Sequence, residues 1–352
     1  MADNLTFLRV SESNIDELAP GMSQLHFEAR RQRRNPDYWR WRYLNCPGGK
    51  SNLTVVLRGR RVVGMYGLLY IPINLCGMPV VAGLMENVSI HSQERSWRCY
   101  RGLVEKNVVD SHEDYLAFRF GVAPRRLKEL CSRIGVVSLG RVPVYFGFIN
   151  FSKILNKRGF PYPLSVAGSL IDPIFGLKIK ERVGKDFDIR KIDSFNSDFD
   201  GFSRSISKTR GVTVVKDSVY LNWRYRDCPD CSYVRLAAYC DHKLEGLIIF
   251  GTTGLCGDVF LVELMVGDHN RIVMRALLLQ ALRQMKMAKK GYVAASFTAE
   301  SALTRTLKEL GFKSRGTKVW SADFIVATPV DNSFSAVLDF SNWDFSLGDW
   351  LV

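Results

Sequence analysis

Two glutamates occupy equivalent places in the two halves of the sequence, Glu86 and Glu263, which lie 177 residues apart. A carboxylate on a strand can accept a proton during catalysis, or it can simply pair with a basic neighbour. We find no Ser-His-Asp set and no phosphate-binding loop of the GxxxxGK(S/T) type. Covalent acyl-enzyme chemistry and nucleotide hydrolysis therefore gain no support from the sequence.

The eight cysteines are scattered, and only Cys228 and Cys231 form a CxxC pair. A zinc site needs a second such pair, or histidines at suitable spacing, and we find no convincing candidate. No metal site is therefore predicted. The N-terminus has no basic stretch followed by an apolar one, so we expect no secretory signal, reduced thiols and a cytoplasmic protein.

The elements that must position the two glutamates are marked by a repeat. The segment YWRWRYLNCP at 38–47 returns as YLNWRYRDCP at 220–229, with six of ten positions identical. Gly64 and Gly246 keep the same offset of 182 residues, and after a shorter hairpin loop the offset becomes 177. A repeat this long predicts duplicated domains, and it indicates that Trp41 and Tyr43 are core residues in a structural motif.

Hydrophobic periodicity and turn residues give each copy the order strand, helix, helix, three strands, helix, strand, helix, strand. In the first copy the predicted helices cover 15–34 (broken at Pro20 and Gly21), 95–110 and 124–133. The predicted strands include 62–73, 80–90, 115–120 and 142–148. The fold class is therefore α/β with mixed sheets, in two domains: 1–150 and 185–330, joined by a connector at 151–184 and followed by a tail at 331–352.

Residues 62–85 carry no charge over 24 positions, which is long enough for a membrane span. The stretch also contains four glycines and two prolines, which suit a turn-broken pair of strands better than one helix. We therefore predict a buried β-hairpin and no transmembrane segment. The apolar middle of the connector could touch a membrane surface, although interdomain packing is the simpler interpretation.

The chain of 352 residues has a formal net charge of +14, with 49 Lys and Arg against 35 Asp and Glu. This balance favours anionic partners: a phosphate-bearing cofactor, RNA, an acidic carrier protein or an anionic membrane surface. Charge alone does not choose among them.

The element order, with the strands around Gly64 and Gly246 and the late helix closed by Leu310-Gly311-Phe312, resembles the GNAT superfamily of N-acetyltransferases, present twice. Tandem GNAT proteins include the Fem peptidyltransferases, which use aminoacyl-tRNA. The sequence as a whole also resembles GNAT-type proteins of bacterial cell-surface or polysaccharide pathways. The resemblance implies a general base at Glu86 or Glu263 that takes a proton from the acceptor amine, directly or through water.

The resemblance also implies a thioester donor whose pyrophosphate binds at the turn after each glutamate. The family's usual Q/R-x-x-G-x-G/A motif is missing from both turns, because neither copy has the glycines. Donor phosphates would then meet side chains, namely His91, Ser92, Arg95 and Arg98 in the first copy or His269, Asn270 and Arg271 in the second.

Three interpretations follow. The chain is an N-acyltransferase that uses acetyl-CoA or another acyl-CoA; or a Fem-like transferase that uses charged tRNA or acyl-carrier protein; or a non-catalytic GNAT pair that serves as a binding module.

Overall fold

The computed structural model describes residues 5–111, 116–157, 177–179, 187–252, 259–267, 270–298, 302–314, 322–327 and 332–350. His269 and most of the predicted connector lie outside these described residues, so the membrane contact suggested for the connector stays a prediction.

The described residues of the first half form seven strands and five helices. The strands are β1 (Leu5–Arg9), β2 (Asn52–Arg58), β3 (Arg61–Leu75), β4 (Met78–Ile90), β5 (Arg119–Pro124), β6 (Val136–Arg141) and β7 (Val144–Phe148). The helices are α1 (Ile15–Arg30), α2 (Pro36–Tyr43), α3 (Trp97–Ser111), α4 (Lys128–Ser132) and α5 (Phe151–Lys157).

Over its described residues, the second half repeats this order and adds two short strands, β9 and β16. Its strands are β8 (Asp188–Lys191), β9 (Val212–Val214), β10 (Ser232–Cys240), β11 (Lys243–Thr252), β12 (Val259–Val266), β13 (Tyr292–Ser296), β14 (Lys313–Ser314), β15 (Ala322–Ala327) and β16 (Trp343–Asp344). Its helices are α6 (Asp198–Ser207), α7 (Ser218–Tyr225), α8 (Arg271–Met287), α9 (Ala302–Glu309) and α10 (Leu347–Trp350). The predicted α/β class with two copies is confirmed.

The two sheets exchange a strand. The first sheet has the order β1-β2-β3-β4-β5-β15-β6, with β9 also paired to β3, and the second has the order β14-β7-β13-β12-β11-β10-β8. Strand β15 of the second half thus lies between β5 and β6, and β7 of the first half lies between β13 and β14. Each sheet is completed by the other half of the chain.

The uncharged stretch at 62–85 is a β-hairpin, as predicted. Strands β3 and β4 pair antiparallel from Leu75 and Met78 outward, and most of their residues are buried. Among the described residues, no helix is long and apolar enough to cross a membrane.

Three local predictions were wrong. Helix α1 runs unbroken through Pro20, which lies in its second turn, and the neighbouring Gly21 lets Val62 approach closely. Strand β5 begins about four residues later than predicted, at Arg119, where parallel pairing with β4 fixes it. Strand β6 was not predicted, since its one partner among the described residues is the distant β15.

Candidate functional site

A cavity of about 1120 Å³ opens in the first copy. Strands β4 and β5 pair in parallel only between Gly83–Met85 and Arg119–Gly121. Beyond this point they diverge, and residues 86–90 of β4 and 122–124 of β5 line the gap. Strands that separate in this way leave backbone groups free to bind an extended ligand.

A β-bulge shapes the β4 wall of this cavity. Met65 lies opposite Ser89 and Gly67 lies opposite Glu86, so Asn87 and Val88 together face the single residue Tyr66. Asn87 adopts a left-handed backbone conformation with φ of 52°. The bulge bends the strand directly after Glu86.

Glu86 is held by three side chains. Arg42 Nε and Nη2 donate to Glu86 Oε1 and Oε2 at 2.9 and 2.6 Å, and the Tyr43 hydroxyl donates to Oε1 at 2.9 Å. Asn87 Nδ2 donates to Glu86 Oε1 at 3.4 Å and to the Tyr43 oxygen at 2.9 Å. Glu86 lines the cavity, so its carboxylate is fixed at the wall where a ligand would lie.

These contacts set the charge of Glu86. Burial alone would raise the pKa of its carboxyl, but the Arg42 guanidinium and the hydrogen bonds outweigh burial, and the net pKa is lowered. The carboxylate therefore stays ionised at neutral pH and accepts hydrogen bonds.

The repeated Trp-Arg-Tyr motif is more than a structural marker. Trp41 and Tyr43 are buried, as expected, but Arg42 and Tyr43 are also the residues that hold Glu86. The repeat could have indicated these site residues, since each copy contains the same Arg and Tyr together with a glutamate. The sequence could not show that these residues touch.

The predicted phosphate ligands of the first copy differ in position. Arg95 lines the cavity, together with Ser96 at the start of α3. His91 caps the turn 92–94 through Nδ1 and lies 3.7 Å from Glu28, while Ser92 and Arg98 are exposed and do not line the cavity. Four arginines that the sequence did not single out as ligands also line it: Arg30, Arg34, Arg125 and Arg133.

The glutamate of the second copy has different partners. Glu263 is buried and pairs with Lys216 Nζ at 2.6 Å, and it accepts hydrogen bonds from Ser346 Oγ at 2.9 Å and Tyr225 at 3.3 Å. Arg224, the counterpart of Arg42, donates instead to the Gly348 carbonyl. Burial raises the pKa of Glu263; Lys216 opposes this and Asp349 adds to it, and the net pKa is raised.

The cleft between the strands of the second copy is filled by the chain itself. Strands β12 and β13 also diverge after a short parallel pairing. The C-terminal segment (343–350) lies there, with Thr298 N donating to the Phe345 carbonyl at 3.0 Å and Phe297 bridging to Ser346. A cavity of about 280 Å³ remains beside Glu263.

The predicted phosphate ligands of the second copy are engaged locally. Asn270 Oδ1 caps helix α8 by accepting from Ile272 N and Val273 N, and Arg271 pairs with Glu309 at 2.7 Å. At the offset of 177, helix α8 begins three residues earlier than α3 does. The first copy thus leaves an open turn at Arg95 and Ser96, where the second has helix.

The copies meet at their repeated tryptophans. Trp41 Nε1 donates to the Trp223 carbonyl at 2.9 Å, and Trp223 Nε1 donates to the Trp41 carbonyl at 3.0 Å. The rings stack with centroids 5.0 Å apart. This reciprocal contact places α2 and α7 about a local two-fold axis.

No protein-family model and no curated protein matches the sequence. Solved structures do match. The chain aligns with Saccharomyces cerevisiae N-myristoyltransferase with bound myristoyl-CoA at a TM-score of 0.66 and 13% identity, over 93% of this chain and 83% of that one. It aligns with an Enterococcus faecalis V583 probable N-acyltransferase at 0.62 and 10% identity, over 94% and 74%.

The chain has a two-domain GNAT-like fold. A GCN5-related N-acetyltransferase from Anabaena variabilis aligns as well, at a TM-score of 0.63 and 13% identity over 94% of this chain and 74% of that one. The GNAT likeness expected from element order is therefore confirmed at the level of fold.

Proposed function

We propose that the chain is an N-acyltransferase that moves an acyl group from an acyl-CoA thioester to an amine, in the cavity of the first copy. The observation that carries this proposal is the cavity between the diverging β4 and β5, with Glu86 fixed in its wall, in a chain with a GNAT-like fold. Matches at 10–13% identity support the fold, and the cavity itself supports the activity.

The cavity suits a thioester donor with a long apolar part. Its volume exceeds the roughly 300–1,000 Å³ of ordinary small-molecule sites, and much of its lining is aliphatic or aromatic. Arg95, Arg125 and Arg133 would bind the donor phosphates together with the open start of α3. Arginine side chains would thus replace the backbone amides of the missing glycine-rich turn.

The reaction follows from this arrangement. The amine nitrogen attacks the thioester carbonyl carbon, and the carbonyl oxygen takes up the negative charge near the amides of the bulged β4. Attack lowers the pKa of the nitrogen, so the ionised Glu86 receives its proton, directly or through one water. The carbonyl then re-forms, the C–S bond breaks, and CoA leaves as the thiolate.

The second copy serves to support the first. Its glutamate is tied to Lys216, its cleft holds the C-terminal segment, and its α7 packs on α2 through the tryptophan pair. We therefore assign catalysis to Glu86 and a structural role to Glu263.

The test uses the full-length protein with CoA, acetyl-CoA, myristoyl-CoA, acyl-carrier protein and tRNA as ligands in a thermal-shift screen, followed by measurement of CoA thiol release with a panel of amines. We expect stabilisation by CoA and amine-dependent release. Stabilisation by tRNA or carrier protein alone would favour the Fem-like alternative. Binding of CoA without turnover would favour the binding module.

Glu86→Gln and Glu263→Gln form the matched pair of variants. We expect Glu86→Gln to lower kcat by about 100-fold or more while CoA affinity persists, which also shows that the variant folds. Glu263→Gln should retain kcat. Equal loss in both, or loss in Glu263→Gln alone, would overturn the assignment to the first copy.

A further inference from the structure

Arg30, the last residue of α1, lines the cavity without a counter-ion. Its guanidinium makes no ion pair or hydrogen bond within the described part of the chain. Two other charged residues of the cavity wall have partners of opposite charge. Glu86 pairs with Arg42, and Arg34 lies 3.5 Å from Asp230. Arginine remains protonated in proteins, so this positive charge faces the cavity permanently.

Polar hydrogens at the same cavity also lack acceptors. Gln32 is 5% exposed, and its Nε2 forms no hydrogen bond among the described residues. The same holds for Ser89 Oγ and Trp350 Nε1, and all three residues line the cavity. Buried donors of this kind are costly unless something accepts from them.

The charged side chains that line the cavity are mostly positive. Among its described residues, five arginines face a single carboxylate, Glu86. Arg30 and Glu86 line the same cavity, so an anionic group bound to Arg30 would lie in the cavity where the amine would react. An anion bound there would meet unsatisfied donors and a free positive charge.

We infer that the acceptor amine carries an anionic group, a carboxylate or a phosphate, which Arg30 and Gln32 bind beside Glu86. This inference rests on the proposed N-acyltransferase function and names the class of its acceptor. The anion would orient the amine towards the thioester, because a guanidinium binds carboxylate and phosphate oxygens through two parallel hydrogen bonds.

The test compares amines that differ only in the anion: glycine with glycinamide, O-phosphoethanolamine with ethanolamine, and glucosamine 6-phosphate with glucosamine. Rates of CoA release are compared at equal free-base concentrations, and binding to the CoA-saturated protein is measured by calorimetry. We expect kcat/KM and affinity to favour the anionic member of at least one pair by about 10-fold to 100-fold. The glycine pair tests recognition of a carboxylate, and the other two pairs test recognition of a phosphate.

Arg30→Gln should abolish this preference and leave the Kd for CoA unchanged. Arg33→Gln is the matched control, because Arg33 is exposed, stacks on Phe27 and does not line the cavity. A weakened Kd for CoA in Arg30→Gln, or equal use of both members of every pair, would overturn the inference. Arg30-dependent binding of an anionic amine without any CoA release would leave the acceptor site standing and reject the proposed transfer reaction.

Discussion

Arg42 binds Glu86 through two parallel hydrogen bonds, from Nε at 2.9 Å and from Nη2 at 2.6 Å. The two residues lie 44 positions apart, one on α2 and one on β4. The contact joins the repeated aromatic motif to the wall of the cavity, so the marker of duplication and the candidate base form one unit.

Arg42→Met should lower the free energy of unfolding by about 3–5 kcal/mol, because it leaves Glu86 as an uncompensated charge in a mostly buried place. The double variant Arg42→Met with Glu86→Gln should recover part of the loss. Urea unfolding measures both. Arg40→Met is the control, since Arg40 pairs with Glu12 and Asp16 at the surface, and it should change little. An unaffected Arg42→Met protein would show that the pair is not needed for stability.

Stability should depend on pH through the same pair. The folded-state pKa of Glu86 lies below its ordinary value of 4.5. The stabilisation from its ionised form is therefore fully present above about pH 4.5 and is lost as the pH falls through the lower folded-state pKa. Urea midpoints of the wild type and Glu86→Gln should differ by a constant amount at neutral pH and converge as the pH falls below 4.5. A gap that widens in acid would contradict the lowered pKa.

The tryptophan pair should be symmetric in its energetics. Trp41→Phe and Trp223→Phe each keep a ring but remove an Nε1 donor and leave a buried carbonyl unsatisfied. We expect each to cost about 1–3 kcal/mol in thermal or urea unfolding. Trp97→Phe, at a ring that is 38% exposed, should be nearly neutral. Strongly unequal losses would argue against the local two-fold axis.

Gly67→Ala should weaken activity through Tyr43. A Cβ at this position would overlap the Tyr43 hydroxyl and lie 2.6 Å from its Cζ. The ring must shift, so its hydrogen bond to Glu86 is lost, at a cost of about 1–3 kcal/mol in stability. Gly201→Ala meets no atom within 4 Å on helix α6 and should be neutral or slightly stabilising. Unchanged CoA release in Gly67→Ala would mean that Tyr43 does not position Glu86.

Lys216→Ala should destabilise the protein without lowering kcat of the folded fraction. Lys216 lies between Glu263 and Asp349, at 2.6 and 3.1 Å, so its removal leaves two buried carboxylates without a cation. A loss of about 3–5 kcal/mol is expected in urea unfolding. The control Lys243→Ala removes a surface cation paired with Glu245 and should behave as the wild type. A proportionate fall in kcat would place chemistry in the second copy.

The sequence was informative where a property is local or repeated. Hairpin β3–β4 followed from the glycines and prolines at 62–85, and the two copies followed from shared Trp, Arg, Tyr and Cys residues. Glu86 could be singled out because Glu263 returns at the matching place. These inferences need only composition, spacing and comparison of the chain with itself.

Contacts between distant residues were out of reach. The apolar residues of β7 and β15 suit strands, but they do not indicate which sheet each strand joins, because partner choice depends on the whole fold. Arg30 and Gln32 fall in an arginine-rich stretch at 30–34, and only the cavity gives them a ligand-facing position. The C-terminal segment likewise offered no sign that it would fill the second cleft.

The exchange of β7 and β15 ties folding of the first domain to synthesis of the second half of the chain. The ribosome has synthesised all of β5 once it reaches Pro124. The neighbouring strand β15 begins only at Ala322, roughly 200 residues later. At about 5–20 residues per second, the edge of β5 waits about 10–40 s on the ribosome before its partner emerges. Any nascent or truncated chain that ends before β15 therefore exposes an unpaired strand edge, which is a template for aggregation.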